Sequence, residues 1–385
     1  NRAKSHGVTL VITVDCGSHN HAIIDELNHE HIDTIVTDHH ETPENLPEAL
    51  AVINPHRKDQ PTEQLQNLAG VGVAFKLAAA IHGDQEAILA RYSDLLCLGT
   101  IADVMPIKDE NRLIVAYGLH KIEKAERMGL VALCEAVAKK PDGTKSARAP
   151  KVTSGFVGYT LAPRINAAGR ISSASLAVEL FLTDSREKAD ELAARLCDIN
   201  RERQTEENRI ALEAYARIEA SHDFARDPVI VLEADNWHHG VIGIVASRIT
   251  EKYGLPSILI SFENSREDEE SGDIAPDDFG KGSGRSVKGM NLVEALSACS
   301  DLLEKFGGHE LAAGLTVRRD KLQEFSRRIN AYARELGILK EKDVRSEVYI
   351  FKSYIFLISK FISLVPASIT ATKFFFPYLS FNSTK

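Results

Sequence analysis

Acidic and imidazole side chains recur in this sequence where runs of apolar residues end. Asp15 closes the run "VTLVITVD", and Asp38, His39 and His40 close the run "DTIVTDHH". Asp103 follows the helix-like segment "YSDLLCLGTIA". An aspartate at any one of these places is most simply explained as a cap for a turn or a helix. Together, carboxylate oxygens and imidazole nitrogens suit Mn²⁺ or Mg²⁺, and they predict a divalent metal site.

A site for two cations needs a carboxylate that bridges ions about 3.5–4 Å apart and separate terminal ligands for each ion. Asp15 is well placed to bridge, and His39 and Asp103 are candidate terminal ligands of one ion. The second ion would then lack ligands within this chain.

Three glycine-containing segments are candidates for holding phosphate. They are "APRINAAGR" with Arg164, Asn166 and Arg170, "GKGSGRS" with Ser283, Arg285 and Ser286, and "FGGHELAAG" with Gly307, Gly308 and His309. Glycine lets a backbone approach an anion closely, and arginine can hold phosphate with two hydrogen bonds. We interpret the first segment as a glycine-containing turn, the second as a glycine-rich loop, and the third as a turn into a strand. Each alone is more simply a plain turn, but the three together indicate phosphate binding.

His238 and His239 leave two alternatives open. They precede the helix-like segment "GVIGIVASRI". They belong either to an exposed loop or to an anion site at the N-terminus of that helix.

The elements that must position these residues alternate between strand and helix. Continuous apolar, β-branched runs predict parallel strands at 8–15, 33–38 and 50–54, with the first buried on both faces. Helices are expected between and after them, at 21–31, 69–83 and 92–104. Repeated β-α-β units imply a parallel α/β sheet, whose ligands bind beyond the carboxyl ends of its strands.

The second half of the chain begins with a stretch of strong helical character at 172–222, in which the run 185–222 contains neither glycine nor proline. We interpret it as a long helix joining two lobes. A further β-α-β unit is expected at 228–262, followed by a helix over 291–306 and an amphipathic helix over 320–337.

Composition sets limits on the kind of protein. The 385 residues (42.4 kDa) suggest two or three domains, and the net charge of −9 argues against a protein coated in basic surface. Nucleic-acid binding stays open, because a local groove or bound cations can hold phosphates on an acidic protein. The five cysteines are scattered, which argues against a disulfide framework or a structural zinc site.

Two segments stand apart from this pattern. Residues 263–278 carry eight carboxylates against one arginine, and we interpret them as a solvated insertion, with a negative lip that steers the nucleic-acid strand as the alternative. From about residue 344 the chain becomes rich in Phe, Ile, Ser, Tyr and Lys. Lysines interrupt this tail too often for a membrane span of about 20 apolar residues. We favour a non-native tail over a membrane-associating one.

The motifs, in this order and spacing, resemble the RecJ family of the DHH phosphoesterase superfamily. The matching segments are "ITVDCGS", "VTDHH", "INPHR", "LAGVGVAFKL", "LGTIADVMP", "LAPRINAAGR", "GVIGIVASRI", "GSGRS" and "FGGHELAAG". They cover about residues 1–337. "VTDHH" is shared by the whole superfamily, whereas "RINAAGR" and "GSGRS", together with the long helix, are specific to RecJ.

The resemblance implies an α/β fold with a parallel-sheet DHH domain joined by a long helix to a smaller α/β DHHA1 domain. The corresponding boundaries are 1–171 for the DHH domain, 172–224 for the helix, 225–340 for the DHHA1 domain and 344–385 for the tail.

It also implies roles for individual residues. Asp15 would bridge two divalent cations, His39 and Asp103 would complete one ion, and His40 would contact the scissile phosphate or support the ligands. We expect Asp38 to orient a histidine by hydrogen bonding. The residues implied to bind substrate are Arg164, Asn166, Arg170, Ser283, Arg285, Ser286, Gly307, Gly308 and His309.

The implied activity is a single-stranded-DNA-specific 5′→3′ exonuclease of DNA repair and recombination that releases 5′-mononucleotides with two Mn²⁺ or Mg²⁺ ions. Single-stranded DNA is the implied partner. A helicase and a single-strand-binding protein are candidate partners that the sequence itself does not identify. We expect a cytoplasmic protein without a membrane partner.

Two departures from the family pattern lead to a further expectation. RecJ proteins carry an earlier D-x-D strand that supplies metal ligands, and they continue into an OB-type domain, whereas neither is found in this sequence. We therefore expect this chain alone to be weakly active or inactive. The alternatives are an oligoribonucleotide or cyclic-dinucleotide phosphodiesterase of the same superfamily, and a catalytically dead DNA-binding fragment.

Overall fold

The structure is a computed structural model that describes residues 2–60, 65–139, 151–262 and 279–338. The expectations for the acidic segment 263–278 and for the tail after 344 lie outside the described residues. The chain divides into two compact units, Asn1–Thr205 (unit 1) and Glu206–Lys385 (unit 2).

Unit 1 begins with the alternation of strands and helices that the sequence predicts. Its elements are α1 (Arg2–Ser5), β1 (Leu10–Val14), α2 (His21–His29), β2 (Asp33–Thr37), β3 (Ala51–Ile53), α3 (Gly70–His82), α4 (Gln85–Ala102), α5 (Asp109–Glu123), α6 (Met128–Ala138), α7 (Ser154–Phe156), a π-helical turn (Val157–Leu161), α8 (Ala162–Ile171), α9 (Ser175–Leu182) and the first part of α10 (Arg186–Ser221). Strands β1, β2 and β3 form a parallel sheet in that order, with Val14 opposite Thr37. The predicted parallel α/β sheet is confirmed.

The expectation that the first strand is buried on both faces is wrong. Leu10, Ile12 and Val14 of β1 are 43%, 44% and 52% exposed. Among the described residues β1 pairs only with β2, so β1 is an edge strand. The apolar sequence of β1 is typical of a central strand that is buried on both faces. Exposing such a strand at the edge of a sheet is unfavourable.

The segment "APRINAAGR" is helical, which corrects its interpretation as a turn. It forms α8, and the π-helical turn leads directly into it. Its small residues explain the helix, because Ala162, Ala167 and Ala168 are buried at no more than 3% exposure while Asn166 and Arg170 stay on the outside. Helical spacing, rather than a glycine turn, therefore sets the directions of the polar side chains of this segment.

The predicted long helix is confirmed as α10, with 36 residues, and α9 precedes it as a separate helix. Buried residues recur along α10 at helical spacing, with Ala193, Leu196 and Ile199 in unit 1 and Ile210, Ala214 and Ile218 in unit 2. The division between the units falls at 205/206, inside this helix. One helix therefore supplies apolar side chains to both units.

Unit 2 is a mixed sheet with helices. After α10 its elements are β4 (Ile230–Asp235), α11 (His239–Tyr253), β5 (Ser257–Phe262), β6 (Phe279–Arg285), α12 (Leu292–Ser297), β7 (Leu303–His309), β8 (Ala312–Arg318) and α13 (Leu322–Glu335). The strand order is β4-β5-β6-β8-β7, with β4 and β5 parallel and the other pairs antiparallel. Ile258, Ile260, Leu296, Phe325 and Ile329 belong to its core.

Two expectations for unit 2 are wrong. "GKGSGRS" is not a glycine-rich loop, because residues 279–285 form β6, paired with both β5 and β8. A Cβ atom at Gly280, Gly282 or Gly284 would lie 2.6–2.9 Å from core side chains, so these glycines are packing positions. The helix expected over 291–306 ends at Ser297, because the residues from Leu303 onward pair with β8.

In the part of the chain that the structure describes, no helix has both the length and the apolar character needed to cross a membrane.

Candidate metal centre

The parallel pairing of β1 with β2 brings the first two donor clusters together. The strands end side by side, and the backbone N–H of Asp15 donates to the carbonyl of Thr37 over 2.9 Å. Asp15 then leaves the strand in a left-handed conformation (φ +64°). Such a conformation costs a non-glycine residue about 1–3 kcal/mol and tends to occur at functional sites.

Asp103 reaches the same place from the end of α4, where it is the C-cap residue. The next residue, Val104, has φ +57°, and the N–H of Met105 donates to the carbonyl of Thr100. This is a Schellman-type helix end with valine where glycine is usual. A β-branched residue in this conformation is strained, and Val104 is also 86% exposed.

His39 lies between the two carboxylates. Its Nε2 is 3.1 Å from Oδ1 of Asp15 and 3.4 Å from Oδ2 of Asp103. Its side chain is 9% exposed, whereas those of Asp15 and Asp103 are 59% and 46% exposed. One ligand atom from each of Asp15, His39 and His40 lies within 4.8 Å of the others. Asp15 and the two imidazoles thus form one cluster, and Asp103 lies beside it next to His39.

Asp38 holds the histidine pair from behind. Its buried carboxylate accepts a hydrogen bond from Nδ1 of His40 over 2.7 Å, and others from the backbone N–H groups of His39 and Ser18 over 2.8 and 3.0 Å. A carboxylate bound to one ring nitrogen fixes the ring so that the opposite nitrogen, Nε2, can face an ion. Asp38 therefore contacts the ring of His40 rather than that of His39.

The pKa values in the cluster follow from these contacts. Burial raises the pKa of Asp38, but the hydrogen bonds from Ser18 and His40 together outweigh it and lower the pKa to about 2. The hydrogen bond to Asp15 raises the pKa of His39, against the effect of burial, and Asp103 adds to the rise. Burial raises the pKa of Asp103, and the neighbouring Asp15 acts in the same direction.

Gly70, the first residue of α3, makes room for the carboxylate of Asp15. A Cβ atom at this position would lie 2.2 Å from Oδ1 of Asp15. The carboxylate thus lies against the N-terminus of α3, where the partial positive charge of a helix favours an anion. Gly70 is not among the residues predicted from the sequence, although it lies in "LAGVGVAFKL", where a glycine opens a helix.

A cleft of about 690 Å³ within unit 1 opens beside the cluster. Asp15, Gly70 and Asp103 line one side, and Asn166 and Arg170 of α8 line another. The structure therefore places two of the expected substrate residues in the same cleft as the candidate metal ligands Asp15 and Asp103. Arg164 is not among the lining residues, and its Nη1 donates to the carbonyl of Thr160 one turn earlier.

The other expected substrate residues lie in unit 2. Ser283, Arg285, Gly307 and His309 lie on strands β6 and β7, whereas Ser286 is buried and donates through Oγ to the carbonyl of Met290. Gly308 has φ +150°, and a Cβ atom there would lie 2.4 Å from the carbonyl of Ala312, so its backbone geometry requires glycine.

His238 caps α11, since its Nδ1 accepts a hydrogen bond from the N–H of Gly240 over 3.1 Å. His239 is the first residue of that helix and is half-buried. Capping by the imidazole satisfies one of the N–H groups that an anion would otherwise use.

The donor set fits a hard divalent cation. Two carboxylates suit Mg²⁺ or Mn²⁺, and imidazole nitrogen moves the preference toward Mn²⁺. Asp15, His39 and His40 could hold one such ion, with Asp103 next to His39 and with Asp15 exposed enough to reach a second ion.

Comparisons with known proteins identify the two domains of the chain. Residues 2–100 match the family model described as "DHH family, N-terminal domain", and residues 226–335 match the DHHA1 domain. The fold and site thus define a DHH protein with a DHHA1 domain.

Similar proteins narrow this class of DHH proteins to one family. The chain is 39% identical over 333 residues to the "Single-stranded-DNA-specific exonuclease RecJ" of Bacillus subtilis, covering 86% of this chain and 39% of that protein. It is 35% identical over 354 residues to the protein of the same name from Escherichia coli, covering 87% and 58%. The chain spans about two fifths to three fifths of the length of these relatives.

Solved structures give the same result. The crystal structure of RecJ from Thermus thermophilus in complex with Mn²⁺ has a TM-score of 0.70 and 34% identity, covering 87% of this chain and 46% of that chain. A crystal structure of exonuclease RecJ bound to manganese has a TM-score of 0.67 and 34% identity, covering 86% and 78%. The chain belongs to the RecJ family.

Proposed function

We propose that this chain is the catalytic part of a single-stranded-DNA-specific 5′→3′ exonuclease that releases 5′-mononucleotides by two-metal hydrolysis. The observation that carries the proposal is the cluster of Asp15, His39 and His40, with Asp103 next to His39, beside a cleft that Asp15, Asp103, Asn166 and Arg170 line. The names of the relatives support the choice of substrate and the use of Mn²⁺ or Mg²⁺.

Bound divalent cations supply Lewis-acid activation and charge stabilisation for phosphodiester hydrolysis. The residues of the chain would hold these cations and orient the side chains and the phosphate around them. Asp38 fixes the His40 ring through Nδ1, and Gly70 keeps the Asp15 carboxylate in place. Arg170 offers a guanidinium for a phosphate oxygen, and Asn166 offers an amide, at the cleft wall.

The surroundings of the reaction are also part of the proposal. The proposed process is DNA repair and recombination, and the proposed localisation is the cytoplasm. The candidate partners are a helicase and a single-strand-binding protein. A nuclease that acts only on single strands depends on partners that open duplexes or coat the separated strands.

The test is release of mononucleotides from 5′-phosphorylated oligo(dT) with Mn²⁺, compared with the same strand in a duplex. We expect at most weak cleavage of the single strand from the 5′ end, and it should be abolished by EDTA and by His39→Ala. Asp25→Asn, an exposed change on α2, is the matched control and should retain activity. Cleavage of dinucleotides but not of longer strands would overturn the proposed substrate.

A further inference from the structure

Asn54 is a buried polar residue at the carboxyl end of β3, directly after Ile53. It lies in "INPHR" but is not among the residues predicted from the sequence to bind metal or substrate. Burying an amide is unfavourable unless its oxygen and its nitrogen are both hydrogen-bonded. The partners of this amide therefore indicate what it does at the edge of the sheet where the candidate metal ligands lie.

The amide of Asn54 connects the loops that follow all three strands of unit 1. Its Nδ2 donates to the carbonyl of His40 over 2.9 Å and to Oγ of Ser18 over 3.0 Å. Its Oδ1 accepts a hydrogen bond from the backbone N–H of His56 over 2.8 Å. A carbonyl only accepts and a backbone N–H only donates, so these partners also fix which end of the amide is oxygen.

The same contacts close a ring of hydrogen bonds around the candidate metal ligand His40. The backbone N–H of Ser18 donates to Oδ2 of Asp38 over 3.0 Å, and Nδ1 of His40 donates to Oδ1 of Asp38 over 2.7 Å. The ring therefore runs from Asn54 to Ser18, Asp38 and His40 and returns to Asn54. Since Asn54, Ser18 and Asp38 are all buried, His40 is held from inside the protein.

A second contact holds the same loop two residues further on. Oγ of Thr42 donates to the carbonyl of His56 over 3.0 Å, while Asn54 binds the N–H of that residue. The turn 54–56 thus holds the loop 39–42 at two points. The side chain of His40 is 42% exposed, so packing alone does not set its direction, and these hydrogen bonds do.

Asparagine meets a requirement at this position that aspartate, with the same shape, does not. An ionised carboxylate carries no hydrogen, so it cannot donate to the carbonyl of His40. It would also bring a second negative charge close to Asp38, which the ring already contains. The position therefore requires the two hydrogens of Nδ2, and not merely a polar side chain of this size.

We propose that Asn54 is a positioning residue of the candidate metal centre, which holds the backbone of His40 so that the ring presents Nε2 to a divalent cation. The proposal rests on the function proposed above and extends it to a residue that is not itself a ligand. Asp38 fixes the ring at Nδ1, and Asn54 fixes the backbone from which the ring projects. A ring held at both ends has less freedom to lose when the ion binds, so the affinity is higher.

The test is Mn²⁺ binding to the full chain, followed through the electron paramagnetic resonance signal of the free ion. Asn54→Asp should lower the affinity about 10–100-fold, as for other changes behind metal ligands. Asn330→Asp is the matched control, because buried Asn330 also accepts from a backbone N–H and donates to a backbone carbonyl, but in unit 2. It should bind Mn²⁺ like the wild type, even where urea shows a similar loss of stability.

A measurement without metal separates positioning from loss of the fold. In proton NMR, the Nδ1–H of His40 should give a downfield resonance, because its hydrogen bond to buried Asp38 slows exchange with water. His40→Gln identifies this resonance by its absence. The resonance should persist in Asn330→Asp and disappear through faster exchange in Asn54→Asp. Asn54→Ser, which adds no charge and has a shorter side chain, should show the same two changes.

Three results would overturn the role of Asn54. One is wild-type Mn²⁺ affinity in Asn54→Asp or Asn54→Ser, another is persistence of the His40 resonance in these variants, and the third is an equal loss of affinity in Asn330→Asp. If the wild type itself binds no Mn²⁺, the metal centre and the proposed function fail with it. Wild-type binding with unaffected Asn54 variants removes the positioning role alone.

Discussion

At the scale of single residues, the candidate metal centre depends on contacts behind the ligands. His39 stands between Asp15 and Asp103, while Asp38 holds His40 and Gly70 leaves space for Asp15. The ligand types could be read from the sequence because carboxylates and imidazoles follow apolar runs. The space at Gly70 could not, since it depends on where α3 begins relative to β1.

Gly70→Ala tests that space directly. The added methyl group would overlap the Asp15 carboxylate, which must move, so we expect Mn²⁺ affinity to fall about 10–100-fold, as for other changes behind metal ligands. Titration calorimetry with Mn²⁺ measures the affinity. Gly72→Ala, in the same helix, is the matched control, because the nearest atoms to its new Cβ atom belong to the side chain of Leu68, at 3.1 Å, rather than to Asp15. Equal affinities of the two variants would contradict the role of Gly70.

The carboxylate of Asp38 should contribute stability that depends on pH. Its pKa is lowered from 3.8 to about 2 in the folded protein, so the contribution is present above about pH 4 and is lost as the pH falls through about 2. Asp38→Asn, measured without metal, should therefore lower the free energy of unfolding by an amount that is constant near neutrality and shrinks between these pH values. Urea unfolding followed by circular dichroism measures it.

Asp25→Asn on α2 serves as the comparison for Asp38, because this carboxylate is exposed. It should change stability little at any of these pH values. A loss of stability in Asp38→Asn that stays the same down to pH 2 would show that the carboxylate acts through its shape rather than its charge.

At the scale of elements, hydrophobic pattern sufficed for the β-α-β region and for α10. The hydrophobic pattern gave the wrong secondary structure where a segment pairs with neighbouring strands of the sheet. The glycines of "FGKGSGR" suggested a loop, but they alternate with Lys281, Ser283 and Arg285 so that the small residues face the core. Period-two alternation was therefore present in the sequence, with glycine on the apolar side in place of a large side chain. The residues from Leu303 onward similarly have a helical pattern but pair with β8.

The alternation on β6 makes a prediction about stability. Gly282→Ala would place a Cβ atom 2.9 Å from Leu315 and 3.0 Å from Ile260, both in the core. Overpacking of this kind costs about 1–3 kcal/mol, so the free energy of unfolding should fall by that amount. Trp237 is the only tryptophan and is fully buried in unit 2, so its fluorescence in urea reports the change. A variant as stable as the wild type would contradict the assignment of Gly282 to the core side.

At the scale of the whole chain, the two proposed binding features belong to different units. The candidate site residues Asp15, His39, His40 and Asp103 and the cleft lie in unit 1, whereas the expected substrate residues of β6 and β7 lie in unit 2. Each unit also has its own buried core, with Leu133, Leu161 and Leu180 in unit 1 and Ile258, Phe325 and Ile329 in unit 2. The sequence predicted the two lobes and the helix that joins them, because that helix is long and free of glycine and proline.

Separate cores imply that a metal ion should stabilise the units unequally. The candidate Mn²⁺ ligands lie in unit 1, so Mn²⁺ binding should raise the free energy of opening there by RT ln(1 + [L]/Kd), which slows exchange about a hundredfold at 100 times Kd. Hydrogen exchange with mass spectrometry resolves the units. Amides of β1 and β2 that exchange by unfolding of unit 1 should slow by this factor, while those of β5 and β8 keep their rates. His39→Ala should remove the effect. Equal slowing in both units would mean that α10 couples them into one cooperative structure and would contradict the expectation.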